Sequence, residues 1–186
     1  MYCGQCGKKV IENANFCSYC GNKIEKIAKQ NTFVDDISMQ MMVAASDAIG
    51  KITVFNDVDD RHSMAVNMAY FYAFLKFHLT SITDMATSMA IVDNSIRHFE
   101  NATKDNPFLA TLGETIRWVE KNTFENINYT MKTFPQNPFM GMTVFYLKDL
   151  YNSNTLDISK VDVAEKNIQS LYGITSNLTK NVKISR

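Results

Sequence analysis

All four cysteines of the chain lie within its first twenty residues, in two pairs with the same spacing. The pairs are Cys3-x-x-Cys6 and Cys17-x-x-Cys20, and each is followed by a glycine, Gly7 or Gly21. Two cysteines three residues apart in a tight turn reach the same cation, so the two pairs offer four thiolates to one ion. Glycine suits the position after each pair because the turn requires a positive φ there. The spacing therefore predicts one tetrahedral zinc site.

Three other uses of the cysteines compete with zinc. A disulfide framework is typical of small secreted domains, but the first residues lack the apolar stretch of a secretory signal. A redox CxxC requires one pair in a βαβ unit, which two pairs within twenty residues do not match. Iron in a rubredoxin-like site takes the same four ligands, and the residue types alone do not exclude it.

Residues 3–24 resemble the short bacterial zinc-ribbon module, whose signature is CxxCG…FCxxCG. The run Phe16-Cys17-Ser18-Tyr19-Cys20-Gly21 matches the second half of that signature. Gly4 and Ser18 stand where such modules often carry proline, which stiffens the turn but binds no metal. The resemblance implies a structural zinc site and contacts with other macromolecules, and it implies no reaction.

The segment between the two pairs is long enough for a short β-hairpin that brings the pairs together. Residues 8–10 would form one arm and residues 14–16 the other. A site closed by four cysteines leaves no position for water or substrate, so catalysis at the metal is not expected. Residues 1–26 bury too little apolar surface to fold alone. We expect them to be unfolded without zinc, since metal binding contributes roughly 10–16 kcal/mol in comparable peptides.

The net charge of the 186-residue chain is zero, but the charge is unevenly divided. Residues 1–30 carry net +3, because they hold two glutamates, Glu12 and Glu25, and five lysines, Lys8, Lys9, Lys23, Lys26 and Lys29. One Zn²⁺ with four thiolates contributes about −2, which leaves the ribbon near +1. The lysines are therefore weak support for binding to nucleic acid.

Beyond the ribbon, apolar residues recur with a helical period, which predicts an all-α bundle of about six helices. We assign residues 1–26 to the zinc ribbon, 27–33 to a linker and 34–186 to the bundle. The stripe Met64, Met68, Phe71, Leu75 and Leu79 lies in a stretch that is apolar on nearly every face, so this helix is expected at the centre. Two β-branched and aromatic runs, 52–55 and 142–147, leave short strands as an alternative.

Helix boundaries follow from proline, asparagine and glycine. Asn106-Pro107 and Asn137-Pro138 each offer an N-cap followed by proline at the first helical position. Gly173 is the expected end of the last clear helix. Many methionines fall on the apolar stripes, where they either fill the core or line a groove for a partner helix. Several stripes keep a 3.5-residue period, which fits packing within one bundle or a homo-oligomer.

The remainder of the chain offers few catalytic candidates. Asp57, Asp59 and Asp60 with His62 form an acidic cluster that most often caps a helix. His78 lies in an apolar helix, His98 has no second histidine at ligand spacing, and no phosphate-binding glycine loop is present. Trp118, the only tryptophan, could form an aromatic and basic surface with Arg117 and Lys121, although its helix favours partial burial.

These observations predict a zinc-binding, non-enzymatic adaptor that engages a protein partner or self-associates. The alternatives are a nucleic-acid-binding regulator that uses the basic ribbon and an enzyme with a site in the helical bundle. The most apolar stretch, residues 64–75, is too short to span a bilayer, which requires about twenty residues. The expected compartment is the cytoplasm, which keeps thiols reduced.

Overall fold

The computed structural model describes residues 5–10, 14, 16–22 and 27–182, with the backbone alone for residues 27–32. Within these residues the chain forms six α-helices and one short 3₁₀ helix. They are α1 (Ile27–Ile49), α2 (Asp60–Leu79), α3 (Met85–Thr103), α4 (Leu112–Thr133), α5 (Pro138–Tyr151), η1 (Ile158–Lys160) and α6 (Val161–Lys180). The expected helical bundle is thereby confirmed.

Helix α2 forms the centre of the bundle, as its apolar composition predicts. It contacts each of the other five α-helices, and α4 most extensively. From Ala65 to Lys76 every position except Asn67 and Lys76 carries an apolar or aromatic side chain, and every one of these residues is buried. A helix in this position must be apolar on all faces, because no face meets water.

Capping residues fix where several helices begin. Oδ1 of Asp59 accepts a hydrogen bond of 2.9 Å from the backbone N–H of His62, and Oδ1 of Asp84 accepts one of 2.8 Å from that of Thr87. Both bonds satisfy backbone donors that the first turn leaves without helical partners. The capping interpretation of the acidic cluster is confirmed for Asp59. Asn137-Pro138 also starts α5 as predicted, with proline in the first turn.

Several predicted secondary-structure assignments differ from the structure. Residues 27–33, assigned to the linker, are helical because α1 begins at Ile27, and the division into domains stays a prediction. Oδ1 of Asn106 accepts a hydrogen bond from the N–H of Phe108, as an N-cap does, but the turn that it caps ends within residues 107–111 and α4 begins only at Leu112. Helix α6 continues through Gly173 to Lys180, and Gly173 has no positive φ. Residues 52–55 form no strand, and residues 142–147 lie inside α5.

A buried polar network ties the loop before α2 to α5 and α6. The side chain of Asn167 donates to the carbonyl oxygen of Thr53 at 2.8 Å and accepts from its N–H at 2.9 Å. The Tyr146 hydroxyl donates to Oδ1 of Asn67 at 2.5 Å and accepts from Nδ2 of Asn167 at 3.3 Å. Buried polar groups require such partners, so the network fixes the register of four segments, the loop, α2, α5 and α6.

The methionines divide between the core and the surface, and a groove for a partner helix stays a prediction. Met41, Met68 and Met142 are buried and fill the core. Met39, Met85, Met89 and Met140 are exposed by 45–59%.

No helix among the residues that the structure describes is long and apolar enough to cross a membrane.

Candidate metal centre

Three of the four predicted ligands lie together in the structure. The Sγ atoms of Cys6, Cys17 and Cys20 all lie within 4.8 Å of one another. The Cys6 and Cys17 sulfurs are 3.6 Å apart, which is too far for a disulfide bond of about 2.05 Å. Tetrahedral zinc with sulfur at about 2.3 Å places any two sulfurs roughly 3.8 Å apart. The spacing of the thiols therefore fits a shared zinc ion. Cys3 lies outside the described residues.

Both glycines that follow the cysteine pairs adopt the predicted backbone conformation. Gly7 has φ +69° and Gly21 has φ +68°. A Cβ atom at either position would meet nothing within 4 Å, so glycine is required by the dihedral angle and not by lack of space. The second turn closes through the N–H of Gly21, which donates to the carbonyl oxygen of Cys17 at 2.8 Å. The turn brings Cys20 back beside Cys17.

The environment of Cys17 favours the thiolate that a metal requires. The backbone N–H of Tyr19 donates to Sγ of Cys17 at 3.4 Å, and this bond is the main reason that the pKa of the thiol falls from 9.0 to about 6. Burial opposes the change, and contacts with Cys20 and Cys6 support it. Because the anionic form is the one that binds zinc, the site is already suited to a cation near neutral pH.

A minimal apolar cluster supports the thiols. Val10 and Cys17 are buried, with Ala14 packed against them. Lys9 and Phe16 each occupy an isolated β-bridge position, and no strand is present in the described part of the ribbon. The hairpin between the cysteine pairs stays a prediction. The two side chains that are buried in the described part of the ribbon provide very little hydrophobic stabilisation, which is consistent with the expectation that the segment needs a metal to hold its fold.

Two aromatic side chains in the described part of the ribbon, Phe16 and Tyr19, are exposed to solvent. Phe16 is 60% exposed and Tyr19 is 63% exposed, and both adjoin Cys17 or Cys20 in sequence. Nζ of Lys8 lies 4.8 Å from the centre of the Tyr19 ring. The sequence predicts these aromatics only as part of the zinc-ribbon signature, and their exposure is a finding of the structure.

The acidic cluster and the histidines of the helical part serve the fold at separate places. Asp57 pairs with Nζ of Lys160 at 3.1 Å, and this bond holds the pKa of the carboxyl below its usual value. Nε2 of His62 lies 2.6 Å from the carbonyl oxygen of Asp149, and Nε2 of His98 lies 2.9 Å from Oδ1 of Asp35. His78 is half-buried against the Tyr172 ring at 4.6 Å, and burial lowers its pKa.

A cleft of about 230 Å³ between the N-termini of α2 and α4 gathers Asp59, Arg61 and His62. The guanidinium of Arg61 donates to Oγ1 of Thr111 and lies 5.5 Å from the Phe108 ring. The Asp59 carboxylate is occupied as the cap of α2. In the described residues, Cys6, Cys17 and Cys20 are the only group of three or more metal-binding side chains whose ligand atoms converge.

The predicted partial burial of Trp118 is wrong. Its side chain is 70% exposed on the outer face of α4. Its neighbour Arg117 is engaged elsewhere, since its Nη2 donates to Oε2 of Glu100 at 2.8 Å and its Nη1 donates to Oε1. The inward face of α4 is filled by Ile116, Val119 and Ile127, which leaves no room for an indole.

Comparison with known protein families identifies the N-terminal segment alone. Residues 2–24 match the model of the zinc-ribbon domain. This span includes all four cysteines, and it agrees with the convergence of the three that the structure describes. Searches of curated proteins and of solved structures found no match to the chain.

Proposed function

We propose that the chain is a non-enzymatic, zinc-binding adaptor whose zinc ribbon presents a small recognition surface to a protein partner. The convergence of the Cys6, Cys17 and Cys20 sulfurs within 4.8 Å carries the metal part of the proposal. Cys3 would complete the ligand set. Bound there, one Zn²⁺ would act as a structural crosslink, and four thiolates would leave it without an open coordination position.

The exposed rings of Phe16 and Tyr19 support the recognition part of the proposal. Aromatic side chains contribute strongly to protein interfaces because they bury a large area with few rotatable bonds. Among the described residues of the ribbon, only Val10 and Cys17 are buried, and rings that lie in solvent add no stability to them. Their position beside the metal ligands would hold them rigidly, which lowers the entropy lost on binding.

In the helical part, the polar side chains considered as catalytic candidates pair within the fold, which favours a binding role over catalysis. The side chains of Asp57, Asp59 and His98 pair with other parts of the fold, and His62 binds a backbone carbonyl. A catalytic site needs groups with matched pKa values that converge on one substrate. We therefore propose that the helices act as a scaffold. A cytoplasmic location is a separate part of the proposal, and it rests on the reduced thiols that a zinc site requires.

Partner capture with matched variants tests this function. Phe16→Ser/Tyr19→Ser removes the exposed rings and retains all four cysteines, so zinc content should stay the same while a partner is lost. Ile158→Ser is the control, because Ile158 is 81% exposed on η1, outside the ribbon. A partner retained equally by both variants would exclude the ribbon as the recognition surface.

Nucleic-acid binding is the second candidate, and the contact between Lys8 and Tyr19 favours it. An ammonium 4.8 Å from an exposed ring combines a phosphate-binding charge with a stacking surface, as in proteins that bind single strands. If the ribbon binds this way, its affinity for a single-stranded oligonucleotide falls steeply with salt and drops on Lys8→Glu or Lys9→Glu. Binding that is absent, or that salt does not change, would eliminate this candidate.

A further inference from the structure

The outer face of α4 carries a pattern of charge and aromatic residues that is complementary to itself. Eight exposed residues lie within an arc of roughly 120° when positions advance by about 100° per residue. They are Glu114, Trp118, Lys121, Asn122, Glu125, Asn128, Tyr129 and Lys132. The buried residues of α4 fall on the opposite side. This set is called the α4 outer face below.

The charges of the α4 outer face alternate in a symmetric way about position 123. Glu114 and Lys132 are equally distant from this position on opposite sides, and so are Lys121 and Glu125. In an antiparallel pair of α4 helices with a two-fold axis at this level, each acidic side chain therefore meets a basic one. None of the four forms an ion pair with another residue that the structure describes.

The aromatic residues of the face obey the same symmetry. In the same antiparallel pair, Trp118 of one copy would lie opposite position 128 of the other copy, next to its Tyr129. Tyr129 is 56% exposed and contacts the ring of Phe134, which is 49% exposed, at 6.3 Å. The two-fold axis would seat each indole against the aromatic pair of the other copy. Tryptophan and tyrosine dominate the binding energy of many protein interfaces.

We propose that the α4 outer face binds a second copy of this chain in an antiparallel, two-fold symmetric dimer. An isologous contact requires a surface that is complementary to itself, and the charge order on α4 meets that requirement. One helix pair buries less than the roughly 1,200–2,000 Å² of a stable interface, so the dimer is weak and depends on protein concentration. The second copy would be one protein partner within the proposed function, but the contact is independent of the metal centre.

The only tryptophan of the chain reports directly on this contact. In the monomer Trp118 is 70% exposed, so its fluorescence is red-shifted and readily quenched by iodide. We expect the emission of the full-length, zinc-loaded chain to shift to the blue, with weaker quenching, as concentration rises. Sedimentation equilibrium should show the dimer over the same range. A chain that stays monomeric at millimolar concentration, with Trp118 equally quenched throughout, would overturn the proposal and leave the face for a different partner.

Charge reversal tests the orientation of the two copies. Lys121→Glu alone and Glu125→Lys alone each place like charges opposite one another, so each should weaken self-association by about tenfold. A mixture of the two variants restores opposite charges across the contact and should dimerise as the wild type does. Lys166→Glu, on the exposed surface of α6, is the control for the change of net charge and should have no effect.

The mixing experiment also distinguishes this proposal from the metal function. If the single variants dimerise like the wild type, or if their mixture stays monomeric, the antiparallel pairing is wrong. Lys121 and Glu125 lie in α4, outside the ribbon, so neither variant should change zinc content and a failure here leaves the zinc proposal standing. Conversely, if a chain without zinc still dimerises with burial of Trp118, the result supports the α4 contact and says nothing about the zinc function.

Discussion

Nζ of Lys76 lies 2.6 Å from Oε1 of Glu120, within the contact between α2 and α4. Lys76 is 8% exposed and Glu120 is 6% exposed, and Nζ also lies 4.3 Å from the Phe124 ring. A buried charge pair costs desolvation energy for both groups, which the attraction offsets only while both partners are present. The pair therefore enforces the pairing of α2 with α4 more than it adds stability.

Removing one partner of this pair should be far more damaging than removing both. Lys76→Met leaves the Glu120 carboxylate buried alone, and we expect a loss of about 3 kcal/mol in the free energy of unfolding. Lys76→Met/Glu120→Leu should recover most of this loss, since apolar side chains of similar volume fill the same space. Chemical denaturation measures both values, with the exposed Lys166→Met as the control. A double variant at least as unstable as Lys76→Met would contradict the account.

The same pair predicts the sign of a pH effect. Burial raises the pKa of Glu120 above its ordinary 4.5, while Lys76 opposes the change and Asp93 adds to it. Since the folded state holds this proton more tightly than the unfolded state, the contribution of Glu120 to stability is greatest at low pH and declines as pH rises through the raised pKa. The stability difference between wild type and Glu120→Gln should therefore fall as pH increases above 4.5. A difference that grows with pH would show that Lys76 outweighs burial.

The Asn167 side chain should be essential for the loop before α2. Asn167→Leu keeps the volume but leaves the N–H and carbonyl of Thr53 without their partner, at a cost of about 3 kcal/mol. The Thr53 amide should then exchange its hydrogen much faster than in the wild type. Unchanged exchange at Thr53 would mean that the loop is held by other contacts, such as the burial of Phe55.

Gly173 offers a stabilising substitution. It lies inside α6 without a positive φ, and an added Cβ would meet nothing within 4 Å. Gly173→Ala should raise the free energy of unfolding by about 0.5–1 kcal/mol, because alanine loses less backbone entropy in a helix. Thermal unfolding measures the shift. A destabilised variant would indicate that the helix is distorted at this position.

The predictable parts of the fold are those that local chemistry decides. Asn137-Pro138 starts α5 because proline fits only the first turn, and α2 is central because no face of it is polar enough for solvent. Gly173 is a poor signal for the end of α6, because glycine permits a helix end without requiring one. Packing of α6 against α2 and α5 keeps the chain helical beyond this residue. Asn106-Pro107 is a misleading signal because Asn106 caps a single turn, and residues 107–111 do not continue that turn as a helix.

Other side-chain arrangements differ in the same respect: some follow from local sequence and others depend on tertiary structure. The spacing of Cys6, Cys17 and Cys20 requires only a tight turn and a short return, so the sequence alone indicates their convergence. The exposure of Trp118 depends on what α4 buries on its other face, which is a tertiary property. The pairing of Lys76 with Glu120 joins two helices that are distant in sequence, and only the isolated cation in an otherwise apolar stretch signals it.

Zinc K-edge X-ray absorption on the full chain, together with metal content, shows whether the four cysteines bind one zinc ion. We expect one zinc ion per chain with four sulfur neighbours at about 2.3 Å, and one fewer sulfur in Cys17→Ser. The exposed Ser18→Ala, in the same turn, is the control and should leave the spectrum unchanged. A chain that holds no zinc, or whose zinc has mainly nitrogen and oxygen neighbours, would contradict the account.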